Sequence, residues 1–405
     1  MSAAPQVQVA DGRSATMPRN ADSPTAKNLP PRVIHVVASL DRTAIENWLL
    51  RMLNHAVKTG VPLDWTFYCI EGEGPLDERA RALGANVVHS PVRIGAKLAF
   101  IRALRSHLYL TPYDVLHAHH DLVSGVYLLA AARLLIKRRI VHVHNADESV
   151  PTPSAIKQSI FRPSLRRICL TLADKIVANS NHCLDAFLAG RKRRTEKDVV
   201  HYYGIDPEPL VNVNPDRAVF CRQHGFVDDA RIVLFAGRMV PEKNPVFAVD
   251  VIAQMRRSDP RVVGLFAGSG SLEDGVRERA IALGVDPWIR CLGWRNDIPE
   301  LMAGCDWFIL PHPEHPLEGF GIAVVEAQLA GLRLLLSTGV ADDPLLPGAL
   351  VRRLSLQQSP KEWAAAALEL GSAPAPSREA ALGALRRSPM AMDHALRGLI
   401  ALHGQ

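Results

Sequence analysis

Short, wholly apolar runs alternate with segments of helical period through two stretches of this chain, and that alternation admits few folds. A run that is apolar on both faces belongs in a sheet covered on both sides, which is the habit of parallel strands joined by helices. The first stretch opens with a strand over 32–38, a turn over 39–44 and a helix carrying Ile45, Trp48, Leu49, Met52 and Leu53. Strands follow at 65–70, around Val87, at 115–118, 140–143 and 175–178. Helices are expected over 76–83, near 97–108, over 123–135, near 165–173 and, behind Ser180 as cap, up to Leu188. The second stretch has strands over 231–236, 262–266, 307–310 and 332–336, with a strand and turn over 289–297.

The pattern predicts an α/β chain of two Rossmann-like domains, each a doubly wound parallel sheet. Residues 1–31 are rich in Ala, Ser, Pro and Asn without a hydrophobic period and read as a disordered tail. The first domain then runs over 32–206, the second over 207–377, and residues 378–405 form helices expected to pack back across both.

The densest chemistry lies in residues 306–337, a βαβ unit whose central turn reaches Glu318, Gly319, Phe320 and Gly321 before a helix from Ile322. The helix N-terminus offers unpaired N–H groups and partial positive charge, so this turn suits a phosphate. Side chains lean toward the helix N-terminus, which brings Glu326 to the same crevice. A carboxylate there suits ribose hydroxyls, and Glu318 suits the hydroxyls of a second sugar. The competing reading leaves Glu326 on a solvated face, merely complementing the helix dipole.

Two further strand ends carry ligand chemistry. After the strand at 231–236, Arg238 and Lys243 place two cations at a carboxyl edge, suited to a diphosphate or else a solvated turn. After 262–266, Gly268 and Gly270 lie where a nucleotide phosphate or ribose would pass. Trp294 and Arg295 are expected to flank a base. In the first domain His117, His119 and His120 gather at a strand end; no Cys or Glu stands at ligand spacing for zinc, so they are read as lining the cleft. His144 sits at a neighbouring strand end, and His142 is read as structural.

The run from Glu318 to Gly331, EGFGIAVVEAQLAG, closely resembles the E-x7-E signature of retaining, GT-B-fold glycosyltransferases of family 4. Residues 354–364 are similar to a segment of the exopolysaccharide and capsule branch. The resemblance implies that Glu318 holds donor-sugar hydroxyls, Glu326 the ribose, Arg238 and Lys243 the donor diphosphate, and that His144 contacts the donor sugar. It also implies no metal and no cofactor, with a nucleotide diphosphate sugar as co-substrate and a polysaccharide or lipid-linked acceptor. Residues 33–46 are similar to the family's opening segment, so Asp41, Arg42, Thr43 and Ala44 form the acceptor-side loop; Thr43 and Ala44 stand where the family usually has two glycines. His201, Tyr202, Tyr203, Gly204, Ile205 and Asp206 resemble the family's interdomain PNGID, with two tyrosines in place of Pro and Asn. Two other readings of the cleft stay open, a catalytically silent nucleotide-sugar-binding scaffold and a phosphorylase or epimerase of the same fold.

At 405 residues, 48% hydrophobic and 22% charged, the chain is large enough for two cores. A net charge of +6 is too small an excess to argue for nucleic acid, and none is expected as partner. The basic runs over 137–139 and 191–194 leave peripheral contact with an anionic membrane surface open. The six cysteines show no CxxC spacing, the N-terminus shows no secretory apolar segment, and the longest apolar run is too short to span a bilayer. The expected location is therefore cytoplasmic.

Overall fold

The computed structural model describes residues 29–41, 43–146, 155–315 and 317–404. Most of the expected tail, as well as Arg42 of the acceptor-side loop, lies outside the described residues. The first sheet holds β1 (Arg32–Val37), β2 (Asp64–Cys69), β3 (Asn86–His89), β4 (Val115–Ala118), β5 (Arg138–Val143), β6 (Lys175–Ala178) and β7 (Asp198–Val200). Its order is β3-β2-β1-β4-β5-β6-β7 and every pairing is parallel. The second sheet holds β8 (Arg231–Ala236), β9 (Val262–Ala267), β10 (Ile289–Gly293), β11 (Trp307–Leu310), β12 (Arg333–Ser337) and β13 (Val351–Leu354), ordered β10-β9-β8-β11-β12-β13 and again parallel.

Both sheets reverse strand order at one point, between β1 and β4 and between β8 and β11. A crevice opens beyond the carboxyl ends of the strands at such a point, and the loops carrying Thr43, Lys243 and Glu318 leave from those ends. The helices that cover the sheets are buried through side chains at helical spacing, Trp48, Leu49, Met52, Leu53 and Ala56 in Ala44–Thr59 being the clearest case. The last helix, Met392–His403, crosses to the first domain and packs on Ala44–Thr59. Arg138 fastens it by donating to the carbonyls of Ala401 and Leu402 at 3.1 and 3.0 Å.

Several expectations need correction. The helix expected over 123–135 is Ser124–Ala130 only. Arg105 donates to the carbonyls of Ala130 and Ala132, and the chain turns away at Arg133 with φ of 63°, although the apolar period runs on. Strands β7 and β13 escape a hydropathy reading because they are short and flanked by charge. The basic runs are largely consumed internally: Lys137 pairs with Asp114, Arg139 with Asp174, Arg191 and Arg194 with Asp198, and Arg193 with Asp185. They offer little free charge to a membrane. All six cysteines are free thiols.

Candidate active site

A cleft of about 590 Å³ separates the two domains. The first domain contributes Thr43, Ala44, Asn47 and Arg51 from one face of Ala44–Thr59 and its cap; the second contributes Asn296, Ile322, Ala323 and Glu326. Arg51 reaches across to Glu326, its guanidinium 3.6 Å from the carboxylate. Thr43 and Ala44 line the same cleft as Glu326, and Arg51, unmarked by any sequence motif, is the Glu326 counter-ion. The spacing 44, 47, 51 places it one helical face from the cap, a signal that was available in the sequence. Thr43 also donates to Glu46, another residue without a predicted role, whose carboxyl burial pushes up against the opposing pull of that hydrogen bond.

Glu318 and Lys243 form a direct ion pair, and Nε2 of His312 lies 3.7 Å from the same carboxylate. Glu318 is strongly desolvated, which raises its pKa, but Lys243, His312 and Arg238 outweigh that and hold the carboxyl below its ordinary range. His312 itself is pulled down, chiefly by burial. Arg238 is exposed and makes no ion pair among the described residues, so a cation stands ready beside a partly neutralised pair. The glycines that follow β8 and β9 serve close approach of backbone: a Cβ at Gly268 would meet the Gly237 carbonyl at 1.9 Å and one at Gly270 the Met239 carbonyl at 2.4 Å. Trp294 and Arg295 are not in the cleft lining; Trp294 is 55% exposed and Arg295 is bound to Asp297, while Asn296 takes the cleft position. Asp41 is exposed at the start of the same loop as Thr43.

The loop from Glu318 to Gly321 is seated on the first domain. Ser180 Oγ, which caps Asn181–Leu188 by accepting from Cys183 N, donates to the Gly319 carbonyl at 2.5 Å. A Cβ at Gly319 would stand 2.5 Å from the carbonyl oxygen of His144, so only glycine allows this approach. Phe320 meets Tyr203 edge to face at 5.5 Å, and Gly321 adopts φ of 76° to start Ile322–Leu329. Asp343 adds a second tie by accepting from Asn181 and from Tyr202.

The histidines depart most from expectation. His117 and His119 do not line the cleft; with His35, His142 and His144 they occupy one face of β1, β4 and β5 and the strand ends that follow, fully covered by Trp48 and the last helix. Alternate residues share a face, so the two H-x-H pairs fall side by side. They form two edge-to-edge rows. One runs His35, His119, His144, Tyr203, with contacts of 3.0, 3.0 and 2.6 Å; the other runs His403, His117, His142, at 3.0 and 3.1 Å. His120 is hydrogen-bonded to Tyr127 instead. Both ring nitrogens of His144 are engaged in the row, and what it presents to Gly319 is its backbone carbonyl, itself held by Asn179 at 2.8 Å. Burial drives the His144 pKa down to about 3, so its ring is neutral. Three-residue subsets of the array bring ligand atoms within 4.8 Å of one another, but each row already shares a hydrogen between neighbours.

Comparison with known proteins gives a consistent picture. A family model for group 1 glycosyl transferases matches residues 216–340, and one for glycosyltransferase family 4 matches residues 45–209. EpsF of Bacillus subtilis (strain 168), named as a glycosyltransferase, is 28% identical over 353 residues, 86% of this chain and 90% of its own. The UDP-Gal:alpha-D-GlcNAc-diphosphoundecaprenol alpha-1,3-galactosyltransferase of Escherichia coli is 26% identical over 278 residues, 65% of this chain and 67% of its own. Matches to D-inositol 3-phosphate glycosyltransferases span about half the length of those proteins. Anabaena Alr3699/HepE, solved in complex with UDP and glucose, superposes with a TM-score of 0.72 at 18% identity over 92% of this chain and 98% of that one, which shows a common fold.

Proposed function

The chain belongs to the GT-B glycosyltransferases of the family 4 type, and from that membership we propose that it moves a hexosyl residue from a nucleotide diphosphate sugar to a lipid-linked exopolysaccharide or capsule precursor, with retention at the anomeric carbon. The observation that carries this reading is the cleft lined by Glu326 of one domain and Thr43 and Ala44 of the other, with Glu318 on the adjoining loop paired to Lys243. The name of the Escherichia coli relative, which specifies UDP-Gal and a diphosphoundecaprenol-linked sugar, supports a UDP-hexose donor and a polyprenyl diphosphate acceptor.

In the proposed step the bond from the anomeric carbon to the leaving phosphate breaks, and the acceptor oxygen bonds to that carbon from the same face. The acceptor's hydroxyl proton passes to the leaving phosphate oxygen. Lys243 turns from Glu318 to the diphosphate, and Arg238 joins it, stabilising the charge that grows there. Glu318, freed, accepts from donor-sugar hydroxyls, and Glu326 takes the ribose. His144, neutral and fixed, acts through its carbonyl and its support of Gly319 rather than as an acid or base.

The test is thermal stabilisation by UDP, GDP and ADP, with Glu326→Ala as control, followed by determination of product anomer with the matching sugar donors. A shift with one nucleotide, lost in the variant, and a product of retained configuration are expected. No shift with any of them, or an inverted product, overturns the reading.

A further inference from the structure

At the β3 edge of the first sheet three side chains of different chemistry converge: Cys69 at the end of β2, His89 at the end of β3, and Asp77 at the start of the helix Asp77–Ala82 between them. The sheet builds this convergence. Cys69 and His89 are direct partners in the parallel register of β2 and β3, so their side chains leave the same face. The chain between them turns back through Gly74, and Asp77 Oδ2 comes to lie 2.7 Å from His89 Nε2. One ligand atom from each of the three lies within 4.8 Å of the other two. The proposed reaction uses none of them.

Two features separate this group from an ordinary ion pair beside a thiol. The first is its outer shell. The Gly74 amide donates to Asp77 Oδ1 at 3.3 Å, and the Leu40 amide hydrogen-bonds the Cys69 sulfur. Bonds of this kind orient a ligating group from outside and leave its other lone pairs for an ion. The second is charge and access. The Asp77 and Glu46 carboxylates both act on the sulfur, while Arg81, 4.0 Å from Asp77, is bound to Glu78. Cys69 and Asp77 are buried and the His89 side chain is 26% exposed, so an ion enters past the imidazole.

Thiolate, imidazole and carboxylate together make a zinc ligand set, in which the sulfur disfavours magnesium and calcium. We propose that Cys69, Asp77 and His89 bind a zinc ion, with solvent in the fourth tetrahedral position. Ligand atoms around tetrahedral zinc stand about 3.5 Å apart, so the ion seats with side-chain shifts of roughly an ångström. The Cys69 proton leaves to solvent as the sulfur takes the metal, and His89 binds through Nε2 with its proton on Nδ1. The ion ties both strand ends to the turn over 70–76. That turn already packs on the start of the acceptor-side loop: Leu76 N donates to the Leu40 carbonyl at 2.9 Å, and a Cβ at Gly74 would meet the same oxygen at 2.4 Å. Zinc here is a strut beneath the acceptor-side loop and takes no part in sugar transfer, so the inference stands apart from the proposed function.

The experiment strips the full chain with a chelator and titrates it with cobalt(II) and then with zinc. Expected is a thiolate-to-cobalt charge-transfer band in the near ultraviolet that saturates at a single equivalent and disappears as zinc displaces cobalt. Zinc should also raise the melting temperature of the stripped protein. The sulfur band decides, because the buried histidine rows contain no thiol and cannot give it. Cys69→Ser should abolish the band. His89→Gln, at a part-exposed position, should bind either metal about a hundredfold or more weakly while its metal-free form melts close to the parent. No sulfur band, or a band unchanged in Cys69→Ser, overturns the proposal; so does zinc stabilisation equal in the parent and His89→Gln, which is adventitious metal only. Nucleotide stabilisation of the metal-free protein reports separately on the proposed function.

Discussion

The hydroxyl of Tyr203 lies 2.6 Å from Nδ1 of His144, and Asn179 sets the direction of that hydrogen bond. The Asn179 amide nitrogen donates to the His144 carbonyl at 2.8 Å and to the Tyr203 oxygen at 3.2 Å, leaving the tyrosine proton for His144. His144 then carries its own proton on Nε2 and gives it to His119, which in turn gives its Nε2 proton to His35. The row ends at His35 Nε2, which is buried without a partner. Tyr203→Phe keeps the ring against Phe320 and removes the source of this order. It should lose about 1–3 kcal/mol of stability, the value of a buried group left unsatisfied. Urea melts of the two proteins measure it; a difference within a few tenths of a kcal/mol would refute the assigned direction.

Stability should collapse in mild acid. His35, His117, His119, His142, His144 and His403 are all held below their ordinary value of 6.5, first by burial and then by neighbouring positive charge, chiefly that of other histidines. A histidine with a depressed folded pKa binds its proton in the unfolded chain first. The stability it contributes is therefore intact above the unfolded value and lost as pH falls below 6.5 toward the folded one. Each such group is worth about 1.4 kcal/mol per pH unit in that window, so several together exceed the stability of an ordinary domain within one or two units. Thermal melts from pH 8 to pH 5 should be flat above 7 and fall steeply below 6.5. A profile still flat at pH 5 would show that the array is open to water.

What the sequence made legible follows from range. The strand and helix alternation, the Ser180 cap and the turn before Ile322 rest on residues close in the chain, and they appear as expected. The paired histidines of β4 and β5 were visible as well, but the same alternation fits a cleft wall or a covered face. Only Trp48 from another element and His403, 286 residues from its partner His117, decide for the covered face. Arg51 shares a helical face with Ala44 and Asn47, which the sequence shows, but its role as counter-ion comes from Glu326 across the cleft, which it does not. The aromatic ring of Trp294 is legible as a ligand surface, but which residue of the turn after β10 lines the cleft is not: Asn296 does, and Trp294 is 55% exposed beside it.

Lys243→Ala should impair turnover far more than folding. The variant removes the main charge that holds the Glu318 carboxyl below its usual range, leaving His312 and exposed Arg238. In the proposed reaction it also removes one charge-assisted contact to the leaving diphosphate, worth about 2–4 kcal/mol or roughly 30- to 1000-fold in rate. Lys243→Arg keeps the charge with a different fork and should recover part of the loss. Initial rates with the donor chosen by nucleotide protection measure this; unchanged kcat in the alanine variant would remove Lys243 from the chemistry.

Gly319→Ala separates loop seating from nucleotide binding. The added methyl would sit 2.5 Å from the His144 carbonyl oxygen, with Cys183 Sγ at 3.6 Å behind it. That carbonyl cannot retreat without giving up its bond from Asn179, so the loop must lift. Lifting breaks the Ser180 bond to the Gly319 carbonyl and withdraws Phe320 from Tyr203. Glu326 lies in the second turn of the following helix and keeps its own place opposite Arg51. The variant should therefore hold nucleotide within a few-fold of the parent while kcat falls about a hundredfold, the scale of an ångström of misplacement at a reacting centre. Gly383→Ala is the control, since its Cβ would meet nothing nearer than the Arg387 side chain at 3.5 Å. If Gly319→Ala lost nucleotide binding and kcat together, loop and nucleotide site would be one unit, and the division between Glu318 and Glu326 would fail.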